Sequence, residues 1–137
     1  MPAGLGEPIY EKIDSDIAKA LMSINAVKGV EMGNGFSSVY ETGITNVDEM
    51  RIKNKKPLFL SNNNGGVLGG ITTGQELITR FVVKPTSSIL STTKTINTKL
   101  KETTIYTKGS HNQSIVIRAV TVREAIDATT LDDHSLV

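Results

Sequence analysis

The sequence predicts an α+β fold, with helices packed on an antiparallel sheet, and three observations carry that reading. Apolar residues recur at helical spacing near the start of the chain. Short β-branched runs, broken by glycine and proline, fill the middle, and a second helical pattern closes the chain. Helix, several strands, helix, with hairpin-like connections, is the order expected of helices laid on an antiparallel sheet. No internal repeat and no linker divides the 137 residues, so 1–137 is read as one domain segment.

Residues 8–24 are the first expected helix. Pro8 suits a first turn, where its missing N–H is not needed. Ile9, Ile13, Ile17 and Leu21 recur every four residues, while Glu11, Lys12, Asp14 and Asp16 occupy other faces, which makes one buried stripe. Residues 25–33 alternate like a short strand. Asn34-Gly35 is a hairpin-type dipeptide, and it predicts a returning strand over 36–40. Residues 41–60 read as a polar loop carrying the basic cluster Arg51, Lys53, Lys55 and Lys56. The glycine-dense run 61–74 suits neither a helix nor a regular strand. Glu76–Lys84 is expected as a strand that Pro85 ends, because proline cannot donate to the ladder. Thr103–Thr107 and Ser114–Val120 are two further expected strands. Thr121-Val122-Arg123-Glu124 has the form of a capping box, ahead of a short helix carrying Val122, Ala125 and Ile126.

Composition narrows the function classes. Aromatics are 4% of the chain and Trp is absent, so the core rests on Ile, Leu, Val and Ala. The formal net charge of +1 gives no large basic excess for nucleic acid, and the basic cluster reads as a solvated loop. Without cysteine there is no disulfide, thiolate metal site or Cys nucleophile, and two histidines alone build no metal site. No apolar run approaches the ~20 residues of a membrane span. Met1-Pro2-Ala3-Gly4 has no signal-peptide regions, so a cytoplasmic address is expected.

Three segments have chemistry to offer. The glycine run Asn64–Gly70 brings bare backbone, able to approach a phosphate or a flat ring, although it is not the dinucleotide fingerprint and also reads as a surface loop. Lys84-Pro85-Thr86-Ser87-Ser88 supplies a cation and three hydroxyls at the end of a strand, a set that can hold a phosphate or simply form a polar turn. Asn25, where helix gives way to strand, can cap the helix or reach a ligand. Asp127, Asp132, Asp133 and His134 read as a solvated helix end rather than an acid–base cluster.

In series these segments resemble one family. Gly4-Leu5-Gly6-Glu7-Pro8, the stretch from Ala20 to Glu31, Ser61-Asn62, Gly65-Gly66-Val67-Leu68-Gly69-Gly70-Ile71 and Lys84-Pro85-Thr86-Ser87-Ser88-Ile89 are similar to motifs of the chorismate synthase family, in its order and near its spacings. The resemblance runs from Gly4 to about His134. It implies a β-α-β sandwich assembled as a homotetramer, here incomplete. It implies the 1,4-elimination of phosphate from 5-enolpyruvylshikimate-3-phosphate to give chorismate, the last step of the shikimate pathway, with a requirement for reduced FMN. NADPH is associated with the same chemistry. Carried over by position, Asn25 and Ala26 match a flavin-contacting pair, Gly69 matches a backbone contact, and Lys84, Pro85, Thr86, Ser87 and Ser88 match the flavin-binding stretch. No residue of this chain is assigned a catalytic role or a metal.

The chain departs from the family in two ways. Gly109-Ser110-His111-Asn112-Gln113-Ser114 stands where the family has G-R-H-D-P-C. Ser110 therefore falls at a flavin-contacting position without the arginine's charge, and Asn112 replaces an aspartate implicated in proton removal. The family's N-terminal portion, with two catalytic histidines and most of the arginines that grip the substrate phosphate, has no counterpart in these 137 residues. A C-terminal segment that is inactive alone is expected. The alternative is a decayed, non-catalytic remnant.

Overall fold

The computed structural model describes residues 1–87, 89–108 and 116–136. Ten residues form the first helix, α1 (Ile13–Met22), and Ile13, Ile17 and Leu21 on its inner face are 0% exposed. The helix is shorter than the 8–24 expected. Glu11 has φ +56°, which a right-handed helix excludes, and Ile9 is exposed. Upstream residues pair elsewhere: Gly4 and Thr72 exchange backbone contacts through Gly4 N–H to Thr72 O (2.9 Å), and Thr72 N–H donates to Leu5 O (2.9 Å).

The strands are antiparallel as expected but, among the described residues, are divided into four two-stranded ladders. β1 (Val27–Met32) pairs with β6 (Thr79–Val83), placing Val30 opposite Phe81 and Met32 opposite Thr79. Val30, Met32 and Phe81 pack with Ile24, Leu77 and Leu131 around the α1 stripe and Val67. β4 (Val67–Leu68) and β5 (Ile71–Thr72) make a minimal hairpin inside the glycine run, with Val67 in the core. β2 (Met50–Lys53) pairs with β3 (Lys56–Phe59), and β7 (Thr92–Ile96) with β8 (Glu102–Tyr106).

Several expectations need correction. Residues 36–40 do not return as a strand: Gly35–Tyr40 is a 3₁₀ helix, with the Phe36 N–H donating to Glu31 Oε2 at 3.1 Å. The stretch 41–60 is not all loop, because Asn54 and Lys55 (φ +54° and +61°) close the β2–β3 hairpin with both central residues left-handed, the geometry two-residue hairpins favour. β7 was not expected, since Thr-rich alternation carries little hydrophobic signal. Val116–Val120 is helical, the start of the 20-residue α2 (Val116–Ser135), while Ser114 lies outside the described residues. Thr121 is therefore inside the helix and caps nothing. The apolar residues of α2 run round its circumference, Val116, Val120 and Val122 being exposed and Ala119 buried, so no single stripe marks it.

The chain exposes 10220 Å², against roughly 7,000 Å² expected of a folded monomer of this size. Phe36, Val39 and Tyr40 are 80%, 77% and 89% exposed, and β2–β3 and β7–β8 make their main contacts within themselves. The core is small and centred on α1. Replacing Ile17 by Ala is expected to cost about 2–5 kcal/mol, read as a lowered urea midpoint at unchanged slope. A loss below about 1 kcal/mol would contradict its place in the core.

Candidate functional site

Helix α1 separates two groups of candidate residues. At its C-terminal end, the Ser23 N–H donates to Lys19 and Ala20 carbonyls (both 3.1 Å), and the Ser23 hydroxyl donates to Ala20 O (2.6 Å). That closes the helix without Asn25, whose side chain is exposed, so the capping alternative for Asn25 does not hold. Ala26 has φ +72°, an uncommon conformation for a residue with a Cβ. Its carbonyl accepts the Lys84 N–H at 2.8 Å, one step beyond the Val27–Val83 pair. The β1–β6 ladder thus brings Asn25, Ala26, Lys84 and the following Pro85, Thr86 and Ser87 to one end of the sheet.

Lys84, Pro85 and Ser87 are exposed there and Thr86 is half-buried; Ser88 lies outside the described residues. No carboxylate pairs with Lys84 among the described residues. An exposed cation, the Ser87 hydroxyl, the half-buried Thr86 and the exposed Asn25 amide lie at this end of the sheet, which is chemistry suited to an anionic oxygen.

Gly69 sits at the other end. It forms the β4–β5 turn with Gly70, whose carbonyl accepts the Ile13 N–H at 3.0 Å, at the first residue of α1. Gly69 has φ +61° and is exposed, and a Cβ there would meet nothing within 4 Å. Its backbone borders a cleft of about 260 Å³ lined also by Asp14, Ser38, Asn46, Asn63 and Asn64. The ten residues of α1 put the two groups about 15 Å apart. One small anion cannot touch both, whereas an elongated ligand can. Ser110, the remaining candidate, lies outside the described residues, as do His111 and Asn112.

The structure adds one residue that motif reading missed. Asp48, 7% exposed, accepts hydrogen bonds from Ser61 Oγ (2.6 Å), the Asn63 N–H (2.7 Å), the Asn64 N–H (3.0 Å) and Asn64 Nδ2 (2.9 Å). Burial alone pushes its pKa up, but the bonds from Ser61, Asn63 and Asn64 outweigh this and hold it below the ordinary carboxylate value. A lone Asp in a polar stretch gives no sequence signal; the companion signal is the donor-rich Ser61-Asn62-Asn63-Asn64.

The C-terminal carboxylates are only partly the solvated helix end expected. Asp132 and Asp133 are exposed. Asp127 lies 2.6 Å from Arg123, which also donates to Thr79 Oγ1 at 2.8 Å. Burial raises the Asp127 pKa against the opposing pull of that guanidinium. His134 meets Asp16 at 3.1 Å, so it ties α2 to α1. The basic cluster lies on the β2–β3 hairpin, where Arg51, Lys53 and Lys56 share one face with Leu58, and Met50, Ile52, Pro57 and Phe59 share the other.

The candidate residues thus fall into two groups on an α+β frame, exposed donors at one end of α1 and open glycine backbone at the other. Comparison with known proteins places that frame. The family model for chorismate synthase matches residues 1–136. Chorismate synthase from Rhodopseudomonas palustris strain HaA2 is 60% identical over 136 residues, covering 99% of this chain and 38% of the relative. That of Mesorhizobium japonicum is 57% identical over 137 residues, covering 99% and 37%. A crystal structure of chorismate synthase superposes with a TM-score of 0.75 at 34% identity, over 98% of this chain and 33% of that one. The chain belongs to the chorismate synthase family, and it spans about 38% of the length of the curated relatives it matches.

Proposed function

We propose that this chain is the flavin-contacting portion of a chorismate synthase, an enzyme that converts 5-enolpyruvylshikimate-3-phosphate to chorismate by 1,4-elimination of phosphate with reduced FMN. The observation that carries the reading is the Lys84 N–H to Ala26 O bond, which joins two segments 58 positions apart into one donor group. Lys84 with no ion pair among the described residues and Gly69 with open space beside it fit a flavin nucleotide, and their separation suits a ligand with a phosphate at one end and a ring at the other. In this arrangement Lys84 Nζ and the Thr86 and Ser87 hydroxyls would hold the phosphate, with Asn25 and the Ala26 backbone near it, and the Gly69 backbone would be open to the ring. When bound, reduced FMN would lend electron density to the reacting substrate and recover it. In this reading the complete enzyme works as a homo-oligomer in the cytoplasm.

A second reading, a non-catalytic remnant, is favoured by Ser110 and Asn112, which replace the family's arginine and aspartate. The two readings separate on flavin binding. Replacing Lys84 by Ala is expected to weaken FMN binding by about 1.5–3 kcal/mol, the usual loss for a charge-assisted hydrogen bond. Fluorescence titration of FMN against both proteins measures it, and equal affinities would show that Lys84 does not hold the phosphate.

A further inference from the structure

Asp48 is, among the described residues, the one buried carboxylate, and the flavin reading leaves it without a role. It lies just before β2, yet its partners lie beyond β3, so it fastens the base of the β2–β3 hairpin to residues 61–64. No Lys or Arg pairs with it among the described residues; its charge is met entirely by hydrogen-bond donors. Two of them are consecutive backbone N–H groups, of Asn63 and Asn64, which with Ser61 Oγ and Asn64 Nδ2 form a concave nest for an anion.

The segment so held is tightly built. The Asn63 carbonyl accepts the Asn34 N–H at 2.7 Å, and Asn63 Oδ1 accepts from Asn34 Nδ2 at 3.2 Å. The Gly65 carbonyl accepts the Ile78 N–H at 3.1 Å. A Cβ at Gly65 would lie 2.4 Å from the Gly33 nitrogen, so the backbones of β1's end and this loop touch. Gly66 O then receives Thr73 N–H at 2.9 Å, and the β4–β5 hairpin carries Gly69 out to the cleft. These bonds link Asn63 and Asn64 to the Gly69 turn through a segment fixed at Gly65 and Gly66.

Building on the flavin reading, we propose that Asp48 is a positioning residue: its carboxylate templates residues 61–64 and thereby sets where the Gly69 backbone meets the ligand. It touches neither flavin nor substrate. The carboxylate is ionised at neutral pH, because the bonds from Ser61, Asn63 and Asn64 hold its pKa below the ordinary value. Because its folded pKa is depressed, the stabilisation it gives is complete above the ordinary aspartate pKa and is lost as pH falls through the folded value.

Replacing Asp48 by Ala in the 137-residue protein tests this. Amide exchange at Asn63 and Asn64 is expected to rise roughly tenfold or more, with β1 unchanged, and FMN affinity to fall by roughly tenfold. Because the variant leaves a nest of free donors, formate is expected to restore both, and chloride at equal ionic strength is not. Unchanged exchange, or exchange that rises equally through α1 and β1 with no rescue by formate, would overturn the proposal. So would wild-type FMN affinity in a variant whose loop has loosened. Failure of the wild-type protein to bind FMN would instead overturn the flavin reading. A measurement on the wild type alone covers the case in which the variant does not fold. The amide shifts of Asn63 and Asn64 are expected to titrate together, with a midpoint below the ordinary aspartate value. A midpoint at or above that value, or no common titration, counts against Asp48.

Discussion

Supplied with reduced FMN and 5-enolpyruvylshikimate-3-phosphate, the 137-residue chain is expected to form no chorismate above background. The residues that the family resemblance makes catalytic are two histidines, and the histidine that the structure places here is otherwise engaged. His134 is bound to Asp16 at 3.1 Å between α1 and α2, and both Lys84 and Gly69 lie on other parts of the surface. The chain spans about 38% of its relatives' length, and its accessible surface of 10220 Å² exceeds that of a closed domain of this size by roughly 3,000 Å². The family resemblance implies that most of the arginines gripping the substrate phosphate belong to a portion of the family that these 137 residues do not match. A coupled assay of chorismate decides the matter, and turnover well above the enzyme-free rate would contradict the expectation.

A larger gain is expected from two substitutions. When residues 1–137 replace the matching part of the Rhodopseudomonas palustris relative, Ser110→Arg with Asn112→Asp is expected to raise the rate of chorismate formation by at least about tenfold over the unaltered graft. Positioned acid–base groups contribute roughly 10²–10⁴-fold, and an amide cannot take up a proton near working pH. A serine hydroxyl likewise cannot replace a fixed cation beside an anionic ligand. Equal circular dichroism of the two grafts must accompany the rates. Equal rates in two equally folded grafts would mean that neither position has the role the resemblance implies.

Much of the frame was legible because its signals are local. Ile13, Ile17 and Leu21 mark the buried stripe of α1 by spacing alone, and Val27–Met32 and Thr79–Val83 read as strands from β-branched content. Pro85 marked the end of β6 through its missing donor. What failed depended on contacts and context that residue pattern alone does not carry. Pro8 and Ile9 looked helical until Leu5 and Thr72 claimed the preceding backbone. Phe36–Tyr40 looked like a strand, but Glu31 takes the Phe36 N–H and turns the chain. Val116–Val120 is as β-branched as Thr79–Val83, and its place in a 20-residue helix overrides that propensity. On the candidate site, Lys84 and Thr86-Ser87 could be named from residue type. Their meeting with Ala26 depends on the β1–β6 register, which no local pattern states. Asp48 was out of reach for the same reason, since its donors lie 13 to 16 positions away.

The most direct test of the flavin reading is a crystal structure of the graft carrying residues 1–137, soaked with FMN. The expected density runs along α1, with the phosphate within hydrogen-bond reach of Lys84 Nζ and Ser87 Oγ and the ring edge against the Gly69 backbone. Flavin density seated away from both ends of α1, or none at saturating FMN, would contradict it.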